Sequence, residues 1–358
     1  MNEKLGSMVR TVARRIPMPP IQALFEPSKI CNLKCDYCRR LEDGSVANSK
    51  VSEKHFTVEK YKEALAQLKY LRCANWIGDG EPLLNPDFNK LIEMTSKMGA
   101  RTTFGTNGTL VTRNDVAFWK KHKVSEVSVS LDSPIPEKYE KMRVGAKFDR
   151  VIESCRLISD AGINLQLQII LFAETAKDMP RMVDLAIEVG ANRIALPRPH
   201  LYGTLERYRS SYPDPAKVNI PLTIALDKMR RAKIKWYEPW FATTHFRRCM
   251  WPFSAPYIQI GGIVQPCCFM SGGDKEDNYD GVTYTVPSME YVMGNILTDD
   301  FGKIWHGDNY RELRNLLIKT EKPVGTTIEP EQLHALKELK NGKFAHCYGC
   351  SWRWSVEC

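Results

Sequence analysis

Three cysteines fall within eight residues of the chain, as Cys31, Cys35 and Cys38, and the next cysteine is Cys73. A structural zinc site uses four ligands, usually drawn from two paired clusters. Three thiolates can instead hold three irons of a [4Fe-4S] cluster and leave the fourth iron open to a non-protein ligand. The missing fourth cysteine favours a reactive cluster with one open position, and a zinc site is the alternative.

The loop that carries these cysteines follows the first of six predicted β-strands. The strands are expected at 21–29, 75–80, 101–108, 125–133, 164–171 and 193–199, and the helices between them at 58–71, 86–99, 114–123, 149–162 and 176–190. This alternation predicts a parallel sheet with right-handed crossovers. Six units are fewer than the eight of a closed barrel, so we expect an α/β fold with a partial, TIM-like (β/α)6 barrel. Its site should lie at the carboxyl ends of the strands.

The pattern changes after residue 200. The later part is predicted to contain, in order, a proline-bearing connector at 207–221, a helix at 223–234, a β-hairpin at 257–269, an exposed polar loop at 271–281 and a helix at 308–319. The hairpin is predicted from the Gly261-Gly262 pair at its turn. The expected division is an N-terminal arm at 1–20, the partial barrel at 21–235 and a C-terminal extension of hairpin and helix at 236–358.

The composition favours a folded intracellular protein. Hydrophobic residues make up 43% of the 358 residues, and no apolar run approaches the roughly 18 residues of a membrane span. There are 11 cysteines and no apolar signal region, which indicates a reducing, cytoplasmic location where clustered cysteines more often bind metal than form disulfides. The formal charge of +9 suits an acidic or phosphorylated partner, although solvated charge without a specific partner explains it equally well.

The spacing C-x3-C-x-aromatic-C after the first strand of a six-unit partial barrel resembles the radical S-adenosylmethionine (SAM) superfamily. The resemblance covers residues 21 to about 200. It implies that Cys31, Cys35 and Cys38 hold a [4Fe-4S] cluster whose open iron binds SAM. It also implies reductive cleavage of SAM to a 5′-deoxyadenosyl radical, abstraction of a substrate hydrogen atom, and a flavodoxin- or ferredoxin-type electron donor.

The resemblance further implies SAM contacts at successive strand ends. The expected contacts are Tyr37 beside the adenine; Gly78, Asp79, Gly80 and Glu81 at the SAM ammonium; Asn107 at the SAM carboxylate; and Ser130 and Asp132 at the ribose hydroxyls. Asp79 interrupts the glycine pair that the family usually has before Glu-Pro, which leaves open whether a carboxylate or a carbonyl accepts from the ammonium. Each polar residue taken alone can equally be a loop cap.

The later cysteines are similar to those of the SPASM or shorter twitch extension, which houses auxiliary [4Fe-4S] clusters in this superfamily. The chain has G-x4-C at 262–267 and C-x2-C at 347–350. The implied ligands of one auxiliary cluster are Cys249, Cys267, Cys347 and Cys350. A two-cluster SPASM domain continues with further cysteines, and a second cluster in this chain would have to recruit Cys268 and Cys358.

Cys268 and Cys358 have a second interpretation. Epimerase-type members of the superfamily need a thiol that donates a hydrogen atom to the substrate radical, and these two cysteines are the candidates. An auxiliary cluster that accepts the remaining electron favours net oxidation instead, by dehydrogenation or by a cross-link that loses two hydrogens.

Two substrate classes stay open. A ribosomally made peptide is common in the superfamily, and a separate peptide-recognition protein would then be expected because only about 20 residues precede the first strand. The rival is a small polar metabolite, such as a sugar, an aminocyclitol or a nucleotide-linked compound.

Two further classes of protein compete with these. One is an RNA-modifying radical SAM enzyme, which the positive charge permits. The other is a non-enzymatic zinc or nucleic-acid-binding protein, which would leave the six strand–helix units unexplained. The sequence shows no interleaved basic and aromatic patch, which disfavours nucleic acid as the partner.

Overall fold

The structure is a computed structural model that describes residues 18–35, 37–38, 53–197, 215–236, 249–268, 275–279, 282–286, 291–321, 330–344 and 347. The predicted N-terminal arm is therefore described only from residue 18, and Cys350 and Cys358 lie outside the described residues. No helix in the described ranges is long and apolar enough to cross a bilayer.

The first part of the chain alternates strands and helices as the sequence predicts. In chain order the elements are β1 (Gln22–Phe25), α1 (Val58–Gln67), β2 (Cys73–Trp76), a 3-10 helix (Pro82–Leu84), α2 (Phe88–Lys97), β3 (Arg101–Thr106), α3 (Arg113–Lys121), β4 (Val124–Ser130), α4 (Pro136–Met142), α5 (Phe148–Asp160), β5 (Asn164–Gln168), α6 (Ala173–Ala176), α7 (Met179–Glu188), β6 (Arg193–Ala195), α8 (Pro215–Arg231) and β7 (Lys235–Trp236).

The second part is built from short strands and from helices of unequal length. In chain order these are α9 (Trp251–Ser254), β8 (Tyr257–Ile258), β9 (Ile263–Gln265), β10 (Lys275–Tyr279), β11 (Val282–Val286), β12 (Gly294–Asn295), α10 (Phe301–Trp305), α11 (Asp308–Lys319) and α12 (Pro330–Asn341). The predicted hairpin turns at Gly262, whose φ of 80° is a conformation that glycine adopts without strain.

One sheet joins the two parts, in the order β12-β9-β8-β1-β2-β3-β4-β5-β6-β7. Strands β1 to β7 are parallel to their neighbours, which confirms the predicted α/β fold, and all six predicted strands are present with β7 as a short seventh. On its other side β1 pairs in parallel with β8, so that Leu24 lies opposite Tyr257. Strands β9 and β12 continue the sheet in antiparallel pairing. The C-terminal extension is thus attached to the strand that leads into the cysteine loop.

The two faces of the parallel sheet differ in polarity. Trp76, Phe104 and Val127 belong to the buried core that the helices cover. The alternate positions carry polar or small residues that are only half-buried, namely Asn75, Thr103, Gly105, Ser128, Ser130, Gln166 and Gln168. Parallel strands covered by helices on both sides are normally apolar throughout. The alternation therefore fits helices packed on the apolar side of the sheet and a polar side that faces the inside of the partial barrel.

Two segments differ from the prediction. Residues 275–279 and 282–286 form an antiparallel hairpin where the sequence predicts a loop at 271–281. Helix α8 begins at Pro215 and passes through Pro221, although 207–221 is predicted as a connector. Its residues Leu222, Ala225 and Met229 are buried, and tertiary packing of this kind overrides a local break in helix propensity.

Candidate active site

The cysteine loop begins directly after β1 and rests on the turn that follows β2. The backbone N–H of Glu81 donates to the carbonyl of Ile30 at 2.8 Å. A Cβ atom on Gly80 would lie 2.2 Å from the carbonyl oxygen of Ser28, closer than any side chain tolerates. Gly80 is therefore required by the close approach of the two backbones, which fixes where the cysteine loop starts.

Cys31, Cys35 and Cys38 are all half-buried, and the N–H of Cys38 donates to the carbonyl of Cys35 at 3.0 Å in a tight turn. Burial raises the pKa of the Cys35 thiol from 9.0 to about 11; the Arg143 cation opposes this, and the Cys38 and Cys31 thiols add to it. Within the described ranges no three Cys, His, Asp or Glu side chains converge on a single metal ion. A [4Fe-4S] cluster binds each cysteine through a different iron, and Cys31, Cys35 and Cys38 are the three neighbouring thiols that such a cluster would use.

Tyr37 belongs to this loop, and its side chain points to Asp132. Its hydroxyl donates to Asp132 Oδ2 at 2.5 Å, its ring centroid is 5.5 Å from that of Phe172, and the Arg143 guanidinium carbon is 5.7 Å from the Tyr37 ring. Burial raises the pKa of Tyr37 well above its ordinary value, so the phenol stays a neutral donor. Stacking of Tyr37 on the adenine stays a prediction.

Asp132 is fully buried and both of its oxygens are engaged. Oδ2 also accepts from Nε of Arg143 at 2.7 Å, and Oδ1 accepts from the backbone N–H of Ile170 at 2.8 Å. Burial is the largest single influence and disfavours the charge of Arg143, but Asp132, Tyr37, Cys35 and Tyr139 together outweigh it, so the pKa of Arg143 lies well above its usual range. The carboxylate thus ties together the cysteine loop, the residue that follows α4 and the residues that follow β5. Its contact with the ribose stays a prediction.

Glu81 is also buried within a network of its own. Its carboxylate accepts from Thr106 Oγ1 at 2.7 Å, from the backbone N–H of Asn107 at 2.7 Å and from that of Leu83 at 3.2 Å. These bonds join the ends of β2 and β3. With the carboxylate so occupied, the backbone carbonyls of the neighbouring Gly78 and Asp79 are the better candidates for the SAM ammonium.

Asn107 follows β3 and lies against the first cysteine. Its amide Nδ2 donates to Cys31 Sγ at 3.6 Å and to Asn32 Oδ1 at 2.9 Å. The other predicted contact residues lie nearby in the fold: Ser130 is the last residue of β4 and half-buried, and Gly78 is exposed at the turn after β2. The predicted residues therefore gather at the carboxyl ends of β1 to β4.

Sequence reasoning missed Arg143 and Asn85 as parts of the site. Asn85 is buried and its amide donates to the carbonyls of Pro27 and Phe56, both at 2.9 Å, which fastens the segment before the cysteine loop. The signal for Arg143 was indirect: Asp132 at a strand end needs a cationic partner if it is buried.

Three described cysteines of the C-terminal extension flank elements that contact helix α11. Cys249 precedes α9, Cys267 follows β9 and Cys347 follows α12, and α9 and α12 both pack on α11. From α11 the hydroxyl of Tyr310 donates to the carbonyl of Gln265 at 3.3 Å, two residues before Cys267. Cys267 and Cys347 are buried and Cys249 borders the same core. Three described thiols of the extension thus border elements that pack on this one helix.

Arg314 holds the same region together. Its Nε donates to the carbonyl of Pro252 at 2.7 Å and Nη1 to that of Trp305 at 2.6 Å, and its guanidinium carbon lies 4.3 Å from the Trp305 ring and 4.5 Å from that of Tyr310. Burial lowers the pKa of Arg314 from 12.5 to about 10. Among the described residues, aromatic faces rather than a carboxylate surround this cation.

Cys268 faces a different part of the molecule from its neighbour Cys267. It is half-buried and packs against a small apolar group made of Leu24, Ala255 and Tyr257, whereas Cys267 is part of the main core. Leu24 alternates along β1 with Ala23 and Phe25, which belong to the main core. Cys268 is therefore on the side of the inner sheet face.

The site is thus that of an iron–sulfur enzyme built on a partial α/β barrel. Family models agree: residues 25–186 match the radical SAM superfamily and residues 249–351 match the SPASM iron–sulfur cluster-binding domain. The chain belongs to the radical SAM superfamily and carries a C-terminal SPASM extension. Its cofactors are SAM and a [4Fe-4S] cluster, and its SPASM domain binds auxiliary iron–sulfur clusters.

The curated relatives include several enzymes named for peptide modification. The chain is 27% identical to the PqqA peptide cyclase of Streptomyces rochei over 61% of this chain and 58% of that protein. It is 30% identical to the subtilosin biosynthesis protein AlbA of Bacillus subtilis over 50% of this chain and 39% of that one. The mycofactocin maturase MftC of Mycolicibacterium smegmatis is 24% identical over 82% of this chain and 72% of its own length. The chain thus matches little more than half of the first of these relatives and less than half of the second.

Solved structures share the fold. Native anSMEcpe with bound AdoMet superposes with a TM-score of 0.63 at 16% identity, covering 93% of this chain and 99% of that one. Streptococcus suis SuiB bound to S-adenosylmethionine gives a TM-score of 0.63 at 18% identity, covering 88% and 72%. At these identities the likeness concerns the fold alone.

Proposed function

We propose that this radical SAM enzyme modifies a ribosomally made precursor peptide, and that Cys31, Cys35 and Cys38 hold the cluster that cleaves SAM. When bound, that cluster supplies one electron that breaks a carbon–sulfur bond of SAM, giving methionine and a 5′-deoxyadenosyl radical that takes a hydrogen atom from the peptide. The residues around it act as a frame. Gly80 lets the loop rest on the turn after β2, and Asp132 anchors Tyr37 and Arg143 under the thiols.

The observation that carries this proposal is the pairing of β1 with both parts of the molecule. The cysteine loop follows β1, and β8 of the C-terminal extension pairs with the same strand. A substrate on the polar inner face would therefore lie between the cluster loop and the extension. This supports a reaction in which hydrogen abstraction and electron removal occur on one rigid scaffold.

The peptide substrate is inferred from the relatives. The PqqA peptide cyclases, AlbA and MftC are named for peptide cyclisation, bacteriocin biosynthesis and maturation, and one SuiB structure contains its precursor peptide SuiA. We further propose a flavodoxin- or ferredoxin-type electron donor and a separate peptide-recognition protein.

For the C-terminal extension we propose one auxiliary cluster, held by Cys249, Cys267, Cys347 and Cys350. Its use would be to take the electron left on the substrate radical while a proton leaves to solvent, so that the peptide loses two hydrogens in all and forms a cross-link or a double bond. The relatives named as PqqA peptide cyclases support the cross-link.

Epimerisation is the second candidate outcome, and the position of Cys268 favours it. This thiol lies toward the inner sheet face, where it could return a hydrogen atom to the substrate radical. In deuterated water the Cys268 thiol would carry deuterium. Epimerisation would then replace one hydrogen of the peptide by deuterium, without changing the number of hydrogen atoms in the peptide. A Cys268→Ala variant would then make 5′-deoxyadenosine but incorporate no deuterium.

The experiment that tests the proposed function uses anaerobically reconstituted protein, SAM, a reductant and short precursor peptides encoded beside its gene. We expect 5′-deoxyadenosine formation that increases with one peptide, and a product lighter by two hydrogens in the mass spectrum. Stimulation by a small polar metabolite and by none of the peptides would contradict the peptide assignment. Zinc without iron in the reconstituted protein would contradict the whole proposal.

A further inference from the structure

Beside Cys31 three side chains form a closed ring of hydrogen bonds. Asn107 Nδ2 donates to Asn32 Oδ1 at 2.9 Å, Asn32 Nδ2 donates to Thr109 Oγ1 at 2.9 Å, and Thr109 Oγ1 donates to Asn107 Oδ1 at 2.7 Å. The backbone N–H of Thr109 also donates to Asn107 Oδ1 at 2.9 Å. The second hydrogen of the Asn107 amide nitrogen points to Cys31 Sγ, 3.6 Å away.

The ring fixes which end of the Asn107 amide faces the sulfur. The Thr109 backbone N–H can only donate, so the Asn107 atom that it meets must be the carbonyl oxygen. The –NH2 group is then the end that faces Cys31. An amide has two N–H donors and two acceptor lone pairs, and all four are used by Cys31, Asn32 and Thr109. The side chain is also buried, with 6% of Asn107 exposed.

From this we infer that Asn107 is a positioning residue for the cluster: it donates an N–H···S hydrogen bond to the Cys31 ligand and thereby raises the reduction potential of the SAM-cleaving cluster. This differs from the expected contact of Asn107 with the SAM carboxylate, since that contact would break one of the four bonds. The inference rests on the proposed assignment of Cys31 as a cluster ligand.

The direction of the effect follows from charge. The reduced cluster carries one more negative charge than the oxidised cluster, and part of that charge resides on the ligand sulfurs. A donor to sulfur therefore stabilises the reduced form more than the oxidised form, and hydrogen bonds to the sulfurs are one of the factors that set cluster potentials. Thr109 supports this bond because it holds the amide in the required orientation.

The test is a redox titration of the holoenzyme without SAM, followed by electron paramagnetic resonance. The signal that changes when SAM is added afterwards identifies the loop cluster. In Asn107→Ala we expect about a tenfold lower ratio of reduced to oxidised loop cluster at a fixed potential, which is 59 mV for a one-electron couple. In Thr109→Val we expect a smaller shift in the same direction, and in Thr109→Ser the wild-type potential. Asn164→Ala, at the opposite end of the sheet, is the matched control and should not shift it.

The outcomes separate the inference from the proposed function. A SAM-responsive cluster whose potential is unchanged in Asn107→Ala and in Thr109→Val would overturn the inference and leave the function standing. Weaker SAM binding with an unchanged SAM-free potential would do the same, because Asn107 would then act on SAM. No SAM-responsive cluster in wild-type protein would overturn both. If Asn107→Ala fails to hold iron, the comparison of Thr109→Val with Thr109→Ser decides.

Discussion

The two groups of cysteines in this molecule have surroundings of opposite polarity. Around the loop cysteines the neighbours are charged and polar groups that are buried and hydrogen-bonded, with the Asp132–Arg143 ion pair and Glu81 at the centre. Around the later cysteines the neighbours are aromatic, and the buried cation Arg314 lies between Trp305 and Tyr310. Both regions hold thiols, but one is a polar frame and the other an apolar core.

The difference matches the chemistry proposed for each region. A cluster that binds SAM needs an exposed iron and a rigid loop, and hydrogen bonds can hold a half-buried loop where apolar packing cannot cover it. A cluster that only accepts electrons can be enclosed, and an apolar shell limits solvent access to it. The loop region should therefore be sensitive to charge, and the C-terminal region to packing.

The largest expected effect separates the two cysteine sets. Cys35→Ala should abolish 5′-deoxyadenosine formation and remove about four irons per chain, because one [4Fe-4S] cluster is lost. Cys267→Ala should remove a similar amount of iron yet leave SAM cleavage measurable. Iron analysis and chromatography of 5′-deoxyadenosine check both, with Cys73→Ala at the start of β2 as the control. If Cys267→Ala also abolishes cleavage, or Cys35→Ala does not, the two regions do not divide the work as proposed.

The second effect compares the two buried cations. Asp132→Asn removes the charge that balances Arg143 in the pair, and breaking a buried pair from one side costs about 3–5 kcal/mol. Arg314→Met removes a cation that has no carboxylate partner in its described surroundings, and keeps much of the packing against Trp305. The two lost hydrogen bonds to a charged group cost about 1.5–3 kcal/mol each, but removal of the buried charge relieves the desolvation that lowers the pKa of Arg314, so the net loss should be about 1–3 kcal/mol.

Denaturant unfolding of the anaerobic proteins measures both changes. A loss in Arg314→Met equal to or larger than that in Asp132→Asn would mean that the C-terminal region depends on buried charge as much as the loop region does. The two regions would then not differ in how strongly their stability depends on buried charge.

The sequence predicted the parts of this molecule whose signal is local. The spacing of Cys31, Cys35 and Cys38 and the alternation of strand and helix patterns each depend on a few neighbouring residues, and both led to the family and the fold that the structure has. The residues predicted at strand ends also gather in one place, because the carboxyl ends of parallel strands meet at one edge. Their individual contacts could not be predicted, since they depend on rotamers and on distant partners.

What was missed depended on long-range packing or on conflicting local signals. Arg143 belongs to the site because it pairs with Asp132, 11 residues earlier in the chain. Asp132 in turn accepts a hydrogen bond from Tyr37 of the cysteine loop, 95 residues before it. The polar composition of residues 271–281 led to the prediction of a loop. The β-branched residues of Val282–Val286, which form the second strand of the same hairpin, favour a strand instead. The polar inner face has a signal in the alternation of the strands at 125–130 and 164–168, but that alternation alone does not say which face a helix layer leaves uncovered.

The third effect concerns how the loop rests on the turn after β2. Gly80→Ala places a methyl group against the backbone of Ser28, and overpacking of this kind costs about 1–3 kcal/mol. It should also lower the iron bound at the loop, because Cys31 lies three residues further on. Gly105→Ala is the control, since its nearest neighbour would be Ser128 O at 3.9 Å. Unfolding midpoints and iron content check this, and equal values for Gly80→Ala and wild type would show that the loop adapts freely.

The smallest expected effect is a pH dependence confined to the loop region. His55 pairs with Ser28 in an isolated bridge just before the cysteines, and its Nδ1 is buried without a hydrogen-bond partner among the described residues. Burial lowers the pKa of His55 below its ordinary 6.5, and the nearby Lys54 cation lowers it further. As the pH falls through 6.5 the unfolded chain therefore takes up a proton before the folded chain does, and the stability of the fold decreases below that pH.

Amide hydrogen exchange in acid, corrected for intrinsic rates, should show this as faster exchange of residues 28–30 and 54–56 with little change in β8 and β9. His55→Gln removes the titrating group and should reduce that acid-induced opening, while its effect near neutral pH is small. The C-terminal hairpin serves as the internal reference because its pairing with β1 involves no histidine. Acid-induced opening that begins in β8 and β9, or that persists unchanged in His55→Gln, would mean that the polar frame of the loop is not the pH-sensitive region.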